Sequence, residues 1–91
     1  MRIEKISWDE DTVDHIAKHT VSPEEVEEAL FNEDEPHLIL RGCEGRYLFY
    51  GKTGSGRFLL VVLTISHRKT RVITARDMTE TEKQFYRRRR K

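Results

Sequence analysis

Residues 57–66, RFLLVVLTIS, contain the longest apolar run of the chain, and this run decides the fold class. Successive side chains of a strand point to opposite sides of a sheet, so a strand that is apolar at consecutive positions is covered on both faces. Turn-forming clusters flank the run, TGSG at residues 53–56 and HRKT at residues 67–70. The run therefore predicts the central strand of a sheet with material packed on both sides.

Other strand-like segments surround this central strand in the sequence. They are HLILR (37–41), RYLFYGK (46–52) and TRVITAR (70–76), and GCEG (42–45) lies between the first two. Short strands that are joined by turn clusters predict an antiparallel meander. Residues 1–8 alternate weakly between apolar and charged side chains, which predicts a short additional strand ending near Asp9.

Two helices are predicted before the meander. The first begins at an aspartate N-cap, Asp9 or Asp11, and continues to about Thr20, with apolar residues at i, i+3 and i+4 spacing. The second begins at an N-cap serine, Ser22, which is followed by proline and by a glutamate three residues after the cap. Residues 32–36 then break this helix.

A third helix is predicted at the end of the chain, from a second capping box at residues 79–82 to about Tyr86. The predicted fold class is therefore α+β, with an antiparallel twisted sheet of four to five strands packed on two N-terminal helices and a short C-terminal helix. Ninety-one residues suffice for one domain, residues 1–91. Residues 86–91 are expected to form a frayed basic tail.

The strand register follows from the loop lengths if TGSG and HRKT are four-residue hairpin loops, since Lys52 then pairs with Arg57 and Ser66 with Arg71. One face is then apolar and packs on the N-terminal helices, with Tyr47, Phe49, Phe58, Leu60, Val62, Ile73 and Ala75. The opposite face carries Arg46, Tyr50, Lys52, Arg57, Thr74 and Arg76 around an apolar patch of Leu48, Leu59, Val61, Leu63 and Ile65. The C-terminal helix is expected to cover part of that patch.

This register brings Lys52, Arg57 and Arg76 together beside the start of the last helix. Free backbone N–H groups and the helix dipole favour an anion there, so the arrangement predicts a phosphate site. The alternative is that Arg76 forms an ion pair with Glu80 or Glu82 nearby.

The formal net charge of +1 conceals a strong asymmetry. Residues 1–45 hold four basic and 13 acidic residues, a net charge of −9, whereas residues 46–91 hold 13 and three, a net charge of +10. Such asymmetry indicates one surface for a polyanion and another that binds a basic partner or simply repels polyanions. The basic turn at His67 either contacts a nucleic-acid backbone or is a solvated loop. The five cations at residues 87–91 would add salt-sensitive affinity for nucleic acid even as a solvated tail.

Several other kinds of site are disfavoured by the sequence. The single cysteine, Cys43, cannot form an internal disulfide, and His15 and His19 stand at i, i+4 without a third metal ligand at a recognisable spacing. Residues 51–56, GKTGSG, do not match a phosphate loop and read as a hairpin turn. No metal and no cofactor are therefore expected. The absence of a long apolar segment favours a cytoplasmic protein without a membrane partner.

In order and spacing, several segments resemble the BrnT family of bacterial toxins, whose members have a RelE-like ribonuclease fold. The matching segments are Trp8-Asp9, His19 with Val21-Ser22 and Glu24-Glu25, Gly45-Arg46-Tyr47, Gly51, Gly56-Arg57, Leu60-Val61-Val62, and residues 71–76 followed by Glu82 and Tyr86. The resemblance departs from the family at Thr20 and Pro23, where glycine and phenylalanine are more usual. The short segment before Arg46 and the arginine tail are also unusual.

The resemblance implies a metal-independent endoribonuclease toxin that inhibits translation. It also implies a cognate DNA-binding antitoxin of ribbon-helix-helix type, in a heterotetramer or larger complex on operator DNA. In RelE-like sites the 2′-OH of the RNA attacks the adjacent phosphate while cations stabilise the charge that gathers on it. The implied catalytic residues are Arg57 and Arg76 as transition-state stabilisers, Lys52 as a phosphate-binding or proton-handling group, and Tyr86 as a base-stacking group or general acid/base.

Further contacts to RNA are expected from Arg46, Tyr50, His67 and Arg71. The alternative hypothesis is a non-catalytic module that binds nucleic acid or a partner protein through the same basic face. RNA that is bound but never shortened would favour this alternative.

Overall fold

A computed structural model describes residues 5–32, 37–67 and 69–89 of the chain. A five-stranded sheet with the strand order β1-β5-β4-β3-β2 organises the fold. In chain order the elements are β1 Ile6–Ser7, α1 Glu10–Ala17, α2 Pro23–Phe31, β2 Leu38–Arg41, β3 Arg46–Lys52, β4 Phe58–Ser66, β5 Lys69–Asp77 and α3 Glu80–Arg89. The predicted α+β class is confirmed, and the apolar run forms the central strand, β4.

The sheet is antiparallel except at one edge. The pairs β2–β3, β3–β4 and β4–β5 are antiparallel, as the meander predicted, whereas the short strand β1 lies parallel to β5. Within the described residues, no helix is long and apolar enough to cross a membrane.

The predicted helix starts are confirmed by their caps. Asp9 accepts the backbone N–H of Thr12 at 2.8 Å, and Ser22 and Glu25 form the predicted capping box of α2. The helix ends differ from the predicted ones, because α1 stops at Ala17 and α3 continues to Arg89. Of the predicted helix break, residues 33–36 lie outside the described residues.

The predicted register between β3 and β4 is wrong by one residue, because Lys52 pairs with Phe58 and not with Arg57. Thr53 lies opposite Arg57, so the loop consists of residues 54–56 and is one residue shorter than the expected four. The backbone N–H of Thr53 donates to the Arg57 carbonyl at 2.9 Å, and Gly56 adopts a φ of 97° between them. A turn followed by a residue in the left-handed conformation is typical of a three-residue hairpin loop. Because the register between β3 and β4 is shifted by one residue, every side chain of β4 points to the face opposite the predicted one.

The predicted register between β4 and β5 is also wrong, because Ser66 pairs with Lys69 and not with Arg71. Farther along, Val62 pairs with Thr74 while Leu63 pairs with Val72, so Ile73 is an extra residue in β5. Such a bulge changes the register by one residue. It explains why Thr74 and Arg76 lie on the predicted side of the sheet although the side chains of β4 are turned to the other face.

The two faces of the sheet bury separate apolar clusters. The α1–α2 face packs on the N-terminal helices, and its sheet residues are Phe49, Leu59, Val61, Leu63, Val72 and Ala75 with the partly buried Ile39, Tyr47 and Ile65. The α3 face packs on the C-terminal helix, and its sheet residues are Tyr50 and Leu60 with the partly buried Leu38, Leu40, Leu48 and Phe58. The predicted faces of β4 were therefore exchanged, whereas the expected cover by the C-terminal helix is confirmed through Met78, Phe85 and Tyr86.

Candidate functional site

The structure divides the eight predicted site residues among three regions. On the α3 face, beside the start of α3, lie Lys52, Tyr50 and Arg76, and Tyr86 packs on this face from α3 itself. At the opposite end of the sheet lie Arg46, His67 and Arg71. Arg57 adjoins the α1–α2 face, so the predicted grouping of Lys52, Arg57 and Arg76 on one face is wrong.

Arg76 lies on β5 opposite Leu60, which in turn pairs with Tyr50 across the sheet. Its guanidinium binds the Glu82 carboxylate through two hydrogen bonds of 2.7 and 2.8 Å, and it also donates to the Asp77 carbonyl at 3.1 Å. The hydrogen bonds to Glu82 raise the pKa of Arg76, and the same bonds lower the pKa of Glu82. The alternative of an ion pair with Glu82 is thus confirmed. The Arg76 side chain is still 39% exposed.

Three cations converge on one aromatic ring next to Arg76. Lys52 Nζ, Lys83 Nζ and Arg87 Cζ lie 5.3, 5.6 and 5.1 Å from the ring centre of Phe58, and we call these four residues the Phe58 cluster. Each cation is attracted to the negative face of the ring, but the cations repel one another. The cluster therefore provides concentrated positive charge that favours an anion.

Lys83 and Arg87 were not predicted as site residues. They stand at i, i+4 on α3, so they share one side of that helix. This spacing was visible in the sequence, but the helix was expected to end at Tyr86, and Arg87 was assigned to a frayed tail.

Arg57 connects three parts of the molecule. Its side chain donates six hydrogen bonds, which end on Asp77 at the end of β5, on Glu25 of α2, and between the two helices on the carbonyls of residues 19–20 and the Thr20 hydroxyl. The pKa of Arg57 is raised, and the hydrogen bonds to Asp77 are the largest cause. The hydrogen bond to Glu25 raises it further. This geometry gives Arg57 a structural task, and its catalytic role stays a prediction.

The carboxylates around the two arginines predict a loss of stability in acid. Hydrogen bonds from Arg57 lower the pKa of Glu25 and Asp77 below the ordinary values of 4.5 and 3.8, and Arg76 lowers the pKa of Glu82. A carboxyl group with a lowered pKa in the folded state stabilises the fold above its ordinary pKa and loses this effect as the pH falls through the folded value. We expect urea unfolding to show constant stability from about pH 7 to 5 and a decline below about pH 4.5. Stability that does not fall below this pH would contradict the ion pairs.

Two predicted aromatic site residues are buried between α3 and the sheet. Tyr86 has no exposed surface, and its ring meets that of Phe58 edge-on at 6.0 Å. Tyr50 is 7% exposed and lies 5.5 Å from Phe85, and burial is the main cause of its raised pKa. Base stacking on either ring requires access that this conformation does not give, so their roles stay predictions.

The remaining predicted residues lie at the far end of the sheet, about 20 Å away along β3 by strand geometry. Arg46 and His67 are exposed, and His67 stands in the turn after β4 with a φ of 49°. Arg71 forms an exposed ion pair of 3.1 Å with Asp9. These three residues could contact the same extended strand of nucleic acid as the Phe58 cluster, but not the same phosphate.

Outside these regions, three observations concern the other kinds of site considered from the sequence. The GKTGSG segment joins β3 and β4 as a hairpin, as predicted. Among the described residues, no three His, Cys, Asp or Glu side chains are close enough together to hold a metal ion. His15 and His19 contact each other edge-on, with ring centres 5.5 Å apart.

The sequence of the chain also matches a known protein family. A family model described as "Ribonuclease toxin, BrnT, of type II toxin-antitoxin system" matches residues 8–82. The match spans strands β2–β5, both N-terminal helices and the first residues of α3, and it includes Arg57, Arg76 and Glu82. The comparison with curated proteins gave no match.

Proposed function

Since the chain belongs to the BrnT family of ribonuclease toxins of type II toxin-antitoxin systems, we propose that it cleaves RNA on its α3 face and thereby inhibits translation. The observation that supports this location is the Phe58 cluster beside Arg76. It offers an RNA backbone three cations next to a partly exposed guanidinium. The α1–α2 face is covered by two acidic helices, and the described residues place no comparable cluster of cations there.

In the proposed reaction, the 2′-OH of one ribose loses its proton to water, its oxygen attacks the adjacent phosphorus, and the bond to the 5′-oxygen of the next nucleotide breaks. The products are a 2′,3′-cyclic phosphate and a free 5′-OH. Arg76 stabilises the charge that gathers on the phosphoryl oxygens. Lys52 holds the phosphate or supplies the proton that the 5′-oxygen gains.

The experiment is cleavage of an end-labelled single-stranded RNA by the purified protein in the presence of EDTA. We expect shortened products that carry a 2′,3′-cyclic phosphate, and no cleavage of RNA that has 2′-O-methyl groups. Intact RNA that is nevertheless bound in a salt-dependent manner would favour the alternative of a non-catalytic binding module.

The contribution of the Phe58 cluster is tested by its salt dependence. Each phosphate contact to a single strand adds about 0.7 to the slope of log affinity against log salt. The double variant Lys83→Gln/Arg87→Gln should lower this slope by about 1.4 for a 2′-O-methyl oligonucleotide.

A matched control removes two cations from the other side of the sheet. Lys18 follows α1 and Arg41 ends β2, and both are exposed. Lys18→Gln/Arg41→Gln should leave the slope nearly unchanged. Equal slopes for the two double variants would place the RNA elsewhere.

A cognate antitoxin is the second proposed partner, since type II systems pair a toxin with a protein antitoxin. We expect a DNA-binding protein of ribbon-helix-helix type that forms a heterotetramer or larger complex with the toxin on operator DNA. Expression of the toxin in the bacterial cytoplasm should arrest growth, and co-expression with the product of the neighbouring gene should restore it. Unaffected growth in the absence of the neighbouring gene would count against a toxin.

A further inference from the structure

We infer that Glu82 is a positioning residue, which holds one edge of the Arg76 guanidinium and leaves the other edge directed at an RNA phosphate. The inference rests on the proposed function and extends it, because nothing in that function assigns a task to a carboxylate. A negative charge beside an RNA-binding arginine would by itself repel the substrate. Its contacts with the cap of α3 and with the Arg76 guanidinium indicate what it does instead.

The hydrogen bonds of Arg76 leave one edge of its guanidinium open. Arginine has five N–H groups, one on Nε and two on each terminal nitrogen. Nη1 donates to Glu82 Oε1 and to the Asp77 carbonyl, and Nη2 donates to Glu82 Oε2. Within the described part of the chain no hydrogen bond uses Arg76 Nε. The Nε–H and the second N–H of Nη2 lie on the same edge, and this edge matches two oxygens of a phosphate.

Glu82 is itself held by the backbone at the start of α3. Its Oε1 accepts the Thr79 N–H at 2.8 Å, and its own N–H donates to Thr79 Oγ1 at 3.2 Å. The carboxylate thus serves as a capping group and as a bidentate partner of Arg76. A fixed helix end therefore fixes the guanidinium plane before any RNA binds, and such preorganisation favours the transition state more than the ground state.

The kinetic test compares Glu82→Gln with Glu80→Gln. Glutamine can replace glutamate in a capping box, but its amide has one acceptor oxygen and cannot bind both terminal nitrogens. Glu80 is also on the first turn of α3 and is 73% exposed. Among the described residues it forms a weak ion pair of 3.8 Å with Lys83 and no hydrogen bond with Arg76. Both variants remove the same charge from the same helix turn, so any general electrostatic effect on RNA is matched.

We expect Glu82→Gln to lower kcat about tenfold or more, with an unchanged or lower KM, and Glu80→Gln to leave kcat unchanged. Loss of a negative charge should otherwise improve RNA binding, so a lower kcat without a higher KM separates positioning from weaker binding of RNA. Thermal unfolding of both variants checks that they are folded under the assay conditions. A kcat for Glu82→Gln that equals or exceeds that of the unaltered protein would overturn the inference.

A second readout does not require activity. The Nε–H signal of Arg76 in a ¹H–¹⁵N spectrum, assigned by its disappearance in Arg76→Lys, should shift when a 2′-O-methyl oligonucleotide is added. The shift should persist in Glu80→Gln and diminish in Glu82→Gln. If the signal of the unaltered protein does not move, the inference is wrong even where RNA is cleaved. A shift without any cleavage of normal RNA supports the inference and contradicts the proposed ribonuclease activity.

Discussion

Replacement of Arg76 by alanine is expected to lower the rate of RNA cleavage about 100-fold or more and to abolish toxicity, while the protein stays folded. Removal of a single preorganised donor to a developing oxyanion typically has an effect of this size. The fold should survive because Arg76 is 39% exposed and its partner Glu82 remains in contact with water and with the capping box. Cleavage of labelled RNA and the growth of cells that express the variant measure the two effects.

Two further variants make this expectation specific. Arg76→Lys keeps the charge but loses the planar pair of donors, so it should restore little of the activity. Arg46→Ala removes an exposed cation from the far end of β3, and we expect only a small change in rate. A folded Arg76→Ala protein that is still toxic would refute the proposed role.

Replacement of Arg57 by alanine is expected to produce the largest loss of stability among the charged residues of the described chain. Six hydrogen bonds from this side chain join β5, α2 and the connection between the helices. Glu25 and Asp77 keep access to water after the change, being 32% and 58% exposed, so the loss is smaller than for a buried pair. We expect a decrease of about 2 kcal/mol in the free energy of unfolding, or roughly 10 °C in Tm for a domain of this size.

Arg71 supplies the matched control for this prediction. It forms one ion pair, with Asp9, in which both side chains are largely exposed. Such a pair contributes at most about 1 kcal/mol, so Arg71→Ala should change Tm by only a few degrees. Equal and small effects of both substitutions would show that Arg57 is not a structural connection. A stable Arg57→Ala protein without ribonuclease activity would instead support the catalytic role that the sequence predicted.

The sequence was sufficient for the elements and the fold class because the relevant signals are local. The capping boxes at Ser22 and Thr79 specify helix starts through hydrogen bonds within four residues. The apolar run of β4 requires cover on both faces, and the structure provides it with helices on both sides of the sheet. Neither conclusion depends on how distant strands align.

The register could not be obtained in the same way. It depends on one glycine, Gly56, whose left-handed conformation shortens the first hairpin loop, and on one extra residue, Ile73, within β5. A loop of three residues and a loop of four are both compatible with TGSG, yet they turn β4 to opposite faces. Because the loop has three residues, Arg57 lies on the other side of the sheet from the expected cationic face.

The sequence predicted the positions of some candidate site residues but not of others, again because strand alternation is local and ion pairs are not. Lys52 and Arg76 lie on the expected face beside α3, because their positions follow from strand alternation once the bulge in β5 is counted. The partners of the arginines could not be predicted reliably, since ion pairs form between residues as distant in sequence as Arg57 and Glu25. Arg87 was missed because a basic end of a chain resembles a tail whether or not it is helical.

The most direct test of a ribonuclease site on the α3 face is to map a bound, uncleavable RNA on the protein. Amide signals of ¹⁵N-labelled protein are recorded during titration with a 2′-O-methyl oligonucleotide. The largest shifts are expected at Lys52, Phe58, Arg76, Lys83 and Arg87, with little change in α1 and α2. Shifts confined to the α1–α2 face and the surroundings of Arg57 would contradict this account.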